Sequence, residues 1–233
     1  MQPNNHQQST LIAEGFNSFL SKVFLWMFVG LLTTAITSLL VLSTPAILYP
    51  IATNTWLFLG LVIGEFALVI VLSKNALKYD FTTTLSLFIL YSFINGITLS
   101  VVLLMYTGTT ISNAFFITAL LFGVMALYGH FTKSDLAPFK TFFMLAIVGI
   151  IIASVVNIFI ASGTLSYIIN IIGVVIFAGL TAYDIQKMKS YYAYSLQQGG
   201  RLQGNLAVTG ALTLYLDFIN MFLFILRLVG KRR

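Results

Sequence analysis

The chain has 233 residues, 59% of them hydrophobic and only 8% charged, where an ordinary soluble domain carries about 45–50% apolar and about 25% charged residues. Twelve basic and six acidic side chains cannot cover a protein of 25.7 kDa in water, which excludes a soluble enzyme, a disordered chain and a nucleic-acid-binding module. The surrounding solvent is a lipid bilayer, so the net charge of +6 reads as an orientation signal in membrane loops; the absence of cysteine excludes disulfides, thiolate metal sites and Cys nucleophiles.

Residues 1–22 come first, a polar and then weakly amphipathic segment with Ile12, Phe16, Phe19, Leu20 and Val23 at helical spacing. It reads as a short helix on the cytoplasmic membrane surface, and the apolar run starts too late for a cleavable signal peptide. Residues 23–233 read as one seven-helix membrane domain. No Asp, Glu, Lys or Arg occurs in 23–64, 81–132 or 141–183, gaps of 42, 52 and 43 residues. Each is about twice the roughly 20 residues of one crossing, so each predicts a helical hairpin, with turn residues at 43–50, 106–110 and 162–164. A seventh apolar stretch closes the chain. The predicted helices are 23–43, 55–73, 82–105, 112–131, 141–161, 165–187 and 206–229.

Lys22, Lys74, Lys78, Lys133, Lys140, Lys187, Lys189 and Arg201 all fall on one side of this arrangement, which makes the amino terminus cytoplasmic. Seven crossings leave Lys231, Arg232 and Arg233 on the other side, against that rule, yet the 24 residues of 206–229 are long enough for a full crossing. Tyr191, Tyr192 and Tyr194 read as an interfacial aromatic belt after the sixth helix, and 188–205 as a flexible link with Gly199 and Gly200.

Six acids are few enough to weigh singly. Glu14, Asp80 and Asp135 read as solvated charges. Glu65, Asp184 and Asp217 fall inside apolar segments, where a charge at the bilayer centre costs at least about 2.5–3.5 kcal/mol. Such residues face the bundle interior and pair or conduct; the bland alternative is a set of neutral acids that hold helices together. On the seventh helix Thr209, Thr213, Asp217, Asn220 and Arg227 share a face, and on the sixth Asn170, Gly173, Thr181 and Asp184 do. Two stripes with one carboxylate each can face one another. Depth counting does not bring them level, since Asp184 lies three residues before Lys187 and Asp217 eleven residues into the seventh helix. Glu65, nine residues before Lys74, sits near mid-membrane.

If the two aspartates meet, they cannot both ionise cheaply and would share a proton. An oxygen-only ligand set also suits a hard cation such as Ca²⁺, so Asp184, Asp217 and Glu65 are the candidates for a transient Ca²⁺ contact, and Glu65, Thr213 and Asn220 for an ion pathway. No resident cofactor is expected. Gly60 and Gly64 form a small-xxx-small pair that reads as helix packing. His6 and His130 are isolated, with no second His at metal-site spacing.

Thr181-Ala-Tyr-Asp184-Ile-Gln-Lys187, then Leu214-Tyr-Leu-Asp217-Phe-Ile-Asn220 ahead of a short basic tail, resemble the Bax inhibitor-1 family. Ser92-Phe-Ile-Asn-Gly96-Ile-Thr-Leu-Ser100 and Asn157-Ile-Phe159 are similar to its patterns too, so the resemblance covers helices two to seven. It implies an all-α fold whose C-terminal helix is central and wrapped by two three-helix groups. It implies a pH-sensitive Ca²⁺ leak in which Asp184 and Asp217 form the pH-sensing pair and Glu65 matches an acid of the conduction path. In some relatives a basic residue after the second helix latches onto the pair. Lys74 and Lys78 are the nearest here, though neither is at the expected position. The short single-domain form suggests a member from a bacterial plasma membrane.

Three functions compete. The first is a proton-gated cation leak, with Ca²⁺ and protons as its ligands. The second is a non-enzymatic interaction protein that restrains a membrane protease or another membrane-protein partner. An intramembrane aspartyl protease is the third and weakest, because such enzymes resemble a Gly-x-Gly-Asp pattern at the second acid, where this chain has Leu214-Tyr-Leu before Asp217. Glu65 favours the first, since mere association with a partner makes no demand for an acid at mid-membrane.

Overall fold

The computed structural model describes the backbone of residues 5–75 and 77–230 and, within these, the side chains from Ala13 onward. His6, the Ile12 side chain and the basic tail of Lys231, Arg232 and Arg233 lie outside the described residues. The described chain forms α1 (Asn5–Ser43), α2 (Pro45–Thr53), α3 (Thr55–Asn75), α4 (Phe81–Leu103), α5 (Gly108–Phe131), α6 (Lys140–Ile160), α7 (Gly163–Gln197) and α8 (Gln203–Val229), with no strand among the described residues. Seven of these are long and apolar enough to cross a membrane; α2 is the exception. The protein is an all-α integral membrane protein.

Three features depart from the sequence reading. α1 is one helix through Lys22, and the apolar stripe of its first half packs against protein. Phe19 and Val23 are fully buried, and the rings of Phe16 and Phe19 meet Tyr192 at 6.0 and 5.8 Å. The turn after α1 contains α2, which begins at Pro45, a residue that suits a first helical turn because it lacks the N–H that would go unbonded there. Finally, α7 runs ten residues past its predicted end, to Gln197, so Tyr192 is a packing residue inside a helix and no part of an aromatic belt.

The helices form two compact units, one from 1–102 and 188–212 and one from 103–187 and 213–233. In the first, α1 and α4 approach through small residues. A Cβ on Gly30 would lie 2.5 Å from the Phe88 ring, and one on Gly96 would lie 2.8 Å from the Thr34 carbonyl. Thr34 Oγ1 donates to the Ser92 carbonyl at 2.9 Å and Ser38 Oγ to the Gly96 carbonyl at 2.8 Å. Lipid tails are as apolar as leucine, so close backbone approach and hydroxyl-to-carbonyl bonds hold such helices together. The start of α8 is tied in by Asn205 Nδ2, which donates to the Tyr79 carbonyl at 2.6 Å. Asp80 caps α4, accepting from the Thr83 N–H at 3.3 Å; the bond from Thr83 holds this exposed carboxyl below the usual carboxylate range.

In the second unit α5, α6 and parts of α7 and α8 pack on the same principle. The Phe224 ring lies 2.7 Å from where a Cβ on Gly173 would sit, and the Phe143 ring 2.7 Å from one on Gly179. Phe218 stacks edge-on to Phe115 and Phe122. At Gly129 a Cβ would run into the Ala182 backbone, its Cα being 2.8 Å away. A backbone cannot swing aside, so Gly129→Ala has to push α5 off α7. It should lower stability by about 1–3 kcal/mol, whereas Gly123→Ala, on the same helix with nothing within 4 Å, should be neutral or better. Thermal unfolding of the two variants in detergent checks this; equal stability would show that α5 does not depend on that contact.

Candidate functional site

α7 and α8 carry the two helix aspartates, each among apolar neighbours that exclude water. Ala182 and Ile185 flank Asp184, and Leu214, Phe218 and Met221 surround the turn at Asp217; all five are buried. Both acids are only 5% exposed. Their carboxyl groups lie within interaction range of each other. A bond between two carboxyl oxygens needs a proton on one of them, so the arrangement suits a shared proton. Lys187 Nζ lies 3.3 Å from Asp184 Oδ1. Asp217 Oδ2 is buried and has no hydrogen-bond partner. The site therefore has two buried carboxyls, one cation and one acceptor without a hydrogen bond.

The earlier depth count put the acids at different levels because it ended α7 at Lys187. In the structure Asp184 lies thirteen residues before the end of α7 and Asp217 fourteen residues after the start of α8. Joined by a short turn, the two helices bring those positions level.

Neighbouring residues fix the α7 side. Gln186 reaches the loop between α5 and α6 with both ends of its amide. Its Oε1 accepts from the Leu136 N–H at 2.8 Å, and its Nε2 donates to the Ser134 carbonyl at 2.8 Å. Tyr183 packs against Phe143 at 6.2 Å. On α8, Thr213 and Asn220 are half-buried, and Asn220 Nδ2 donates to its own helix at Leu216, 2.8 Å away. Arg227, at the far end of the predicted stripe, is exposed and lies over the Phe224 ring at 5.7 Å.

Glu65 belongs to the first unit. Half-buried on α3, it accepts from Asn95 Nδ2 at 3.1 Å on one oxygen and from Thr98 Oγ1 at 2.5 Å on the other. Asn95 and Thr98 stand three apart on one face of α4, inside the motif 92–100 quoted above. They were not singled out from the sequence, although that spacing next to a helix bearing a lone acid was the available signal. Buried Tyr91, on the same helix, lies within electrostatic reach of Glu65.

Several placements correct the sequence reading. Lys74 and Lys78 are exposed; a cation that does stand beside Asp184 is Lys187, which the sequence reading used only as a marker of orientation. Its position three residues after Asp184 was the missed clue. Gly60 and Gly64 meet nothing within 4 Å, and glycines such as Gly30, Gly96, Gly129, Gly173 and Gly179 do the packing instead. Among the described residues no three His, Asp or Glu side chains form a group that could hold a metal. Asn157 caps the end of α6, its Oδ1 accepting from the Ser162 N–H at 3.1 Å.

Over residues 16–233 the chain matches the family described as inhibitor of apoptosis-promoting Bax1. It belongs to the Bax inhibitor-1 family. Inner membrane protein YbhL of Escherichia coli K12 is 43% identical over 222 residues, covering 94% of each chain. An uncharacterized protein of Rickettsia prowazekii is 37% identical over 221 residues, with 94% and 92% covered, and one of Borreliella burgdorferi is 41% identical over 217, with 93% of each covered. The names of these relatives claim no catalytic activity. In this Bax inhibitor-1 family member the quoted motifs supply Asp184, Lys187, Asp217, Asn95 and Thr98, the residues that build both acidic sites.

Proposed function

We propose that the protein is a pH-sensitive Ca²⁺ leak of the Bax inhibitor-1 type, gated by the protonation of Asp184 and Asp217. The observation that supports this reading is the buried carboxyl pair itself, two acids with Lys187 beside them and an acceptor, Asp217 Oδ2, without a hydrogen-bond partner; we take the pair to share one proton. At lower pH the pair holds its proton and, with Lys187, is an electrically neutral site with one internal bond. As pH rises the proton leaves, and two adjacent carboxylates against one ammonium repel each other and attract a cation. Oxygen ligands suit a hard divalent ion. Glu65, cradled by Asn95 and Thr98, supplies the acid of the conduction path. Its two donors can turn away as an ion arrives.

We read the amino terminus as cytoplasmic, which the basic loops favour, and similarity to an inner membrane protein supports a bacterial plasma membrane. The test is Ca²⁺ flux from proteoliposomes holding the purified full chain, read across a pH series. A flux with a single pH midpoint is expected. Absence of flux, or a flux indifferent to pH, would remove the reading.

A further inference from the structure

The second unit carries a groove of about 480 Å³ between α6 and α7 that uses none of the residues of the carboxyl pair. Its walls are apolar: Phe142, Ala146, Gly149 and Ala153 from α6 face Ile172 and Val175 from α7. Phe142 is 61% and Val175 66% exposed, so the rim is open. Both helices are membrane spans, and what lies beyond that rim is hydrocarbon. α6 is covered less than its neighbours and buries only Ile150.

Length and charge narrow the occupant. From Phe142 to Ala153 the floor rises about 16 Å at 1.5 Å per residue, which is close to half of the roughly 30 Å hydrocarbon core, or one leaflet. The floor is made of Ala146, Gly149 and Ala153, side chains too small to fill it. Its Phe142 end begins two residues after Lys140, and Lys140 and Lys133 are both exposed there. Asp135, the one acid of that loop, has its Oδ1 occupied by the Ala137 N–H at 2.9 Å. An apolar slot one leaflet long with a net positive mouth complements a long hydrocarbon chain that carries a negative head.

We propose that this groove binds one acyl chain of an anionic phospholipid from the surrounding membrane, with Lys140 facing the headgroup phosphate. The site is independent of the ion-leak reading.

Native mass spectrometry of the purified full chain tests it, with palmitoyl-oleoyl phosphatidylglycerol and palmitoyl-oleoyl phosphatidylcholine as probes. One phosphatidylglycerol should be retained about tenfold more tightly than phosphatidylcholine. A Cβ on Gly149 meets nothing within 4 Å, so Gly149→Leu fills the slot without moving α6 or α7 and should weaken both lipids about tenfold. Ala153→Phe, further along the same floor, repeats the test should the first variant fold poorly. Lys140→Gln should reduce phosphatidylglycerol to the level of phosphatidylcholine. Gly60→Leu, on an equally open glycine of α3, should change nothing. The proposal is overturned if the wild type retains neither lipid, if Gly149→Leu and Ala153→Phe bind as the wild type does, or if Gly60→Leu loses as much. Competition by free palmitate as strong as by phosphatidylglycerol would assign the groove to fatty acids, and a dimer lost with Gly149→Leu would assign it to a second copy; either result overturns it as well.

Discussion

Asp184→Asn and Asp217→Asn each flatten the pH dependence of Ca²⁺ flux, and the double variant flattens it no further. This follows from the proposed sharing of one proton. Asparagine keeps the size of the side chain and its hydrogen-bonding capacity, but one remaining carboxyl has no partner with which to share a proton or to repel. Whichever acid is removed, the same coupled equilibrium disappears, so the two effects must be strongly non-additive. A hydrogen bond to a charged group is worth about 1.5–3 kcal/mol, enough to move the balance between the two forms by tenfold or more. Flux from proteoliposomes across a pH series reads the result. Single variants that keep the wild-type midpoint, or effects that simply add, would show that Asp184 and Asp217 do not act as a unit.

Glu65→Gln should lower Ca²⁺ flux about tenfold or more while leaving thermal stability within about 1 kcal/mol, since the charge is lost and the shape retained. The neighbouring donors supply the control. Thr98 gives Glu65 its shorter contact, 2.5 Å, so Thr98→Val removes half of the cradle and leaves the carboxyl in place. If the acid is what the ion uses, Thr98→Val affects flux far less than Glu65→Gln. Unchanged flux in well-folded Glu65→Gln vesicles would reduce Glu65 to an anchor between α3 and α4.

The crossing helices were legible because charge is so sparse: the three uncharged gaps alone imply six of them, and the closing apolar stretch 206–229 is the last. Helix ends were not legible by the same route. A charged residue marks where a chain can leave lipid, while a helix continues into water as long as something packs against it, as α7 does beyond Lys187. That one difference hid the level match of Asp184 and Asp217 and made Tyr192 look like a belt residue. The acids themselves stood out, since each breaks an apolar run. Their partners did not, because Asn95, Thr98 and Lys187 are ordinary residues whose role depends on which helix lies opposite. The glycines show the same limit: Gly60 and Gly64 have the spacing of a packing pair, and only the neighbouring helix decides whether such a face is used.

The overlong ends of α1 and α7 have a further consequence, because they put part of this protein in a different solvent. A helix of 35 residues such as α7 rises about 52 Å, well beyond the roughly 30 Å of hydrocarbon. The cluster of Phe16, Phe19, Leu20, Met188 and Tyr192, all buried, lies in these extensions among the charges of Glu14, Lys22, Lys187 and Lys189. Within the bilayer, helices hold together by fit and hydrogen bonding, and water has no part in it. This cluster is instead driven together by water, with the heat-capacity signature of apolar burial. Urea weakens association of that kind directly, so it should loosen the α1–α7 extensions at concentrations that leave the membrane-embedded helices in place.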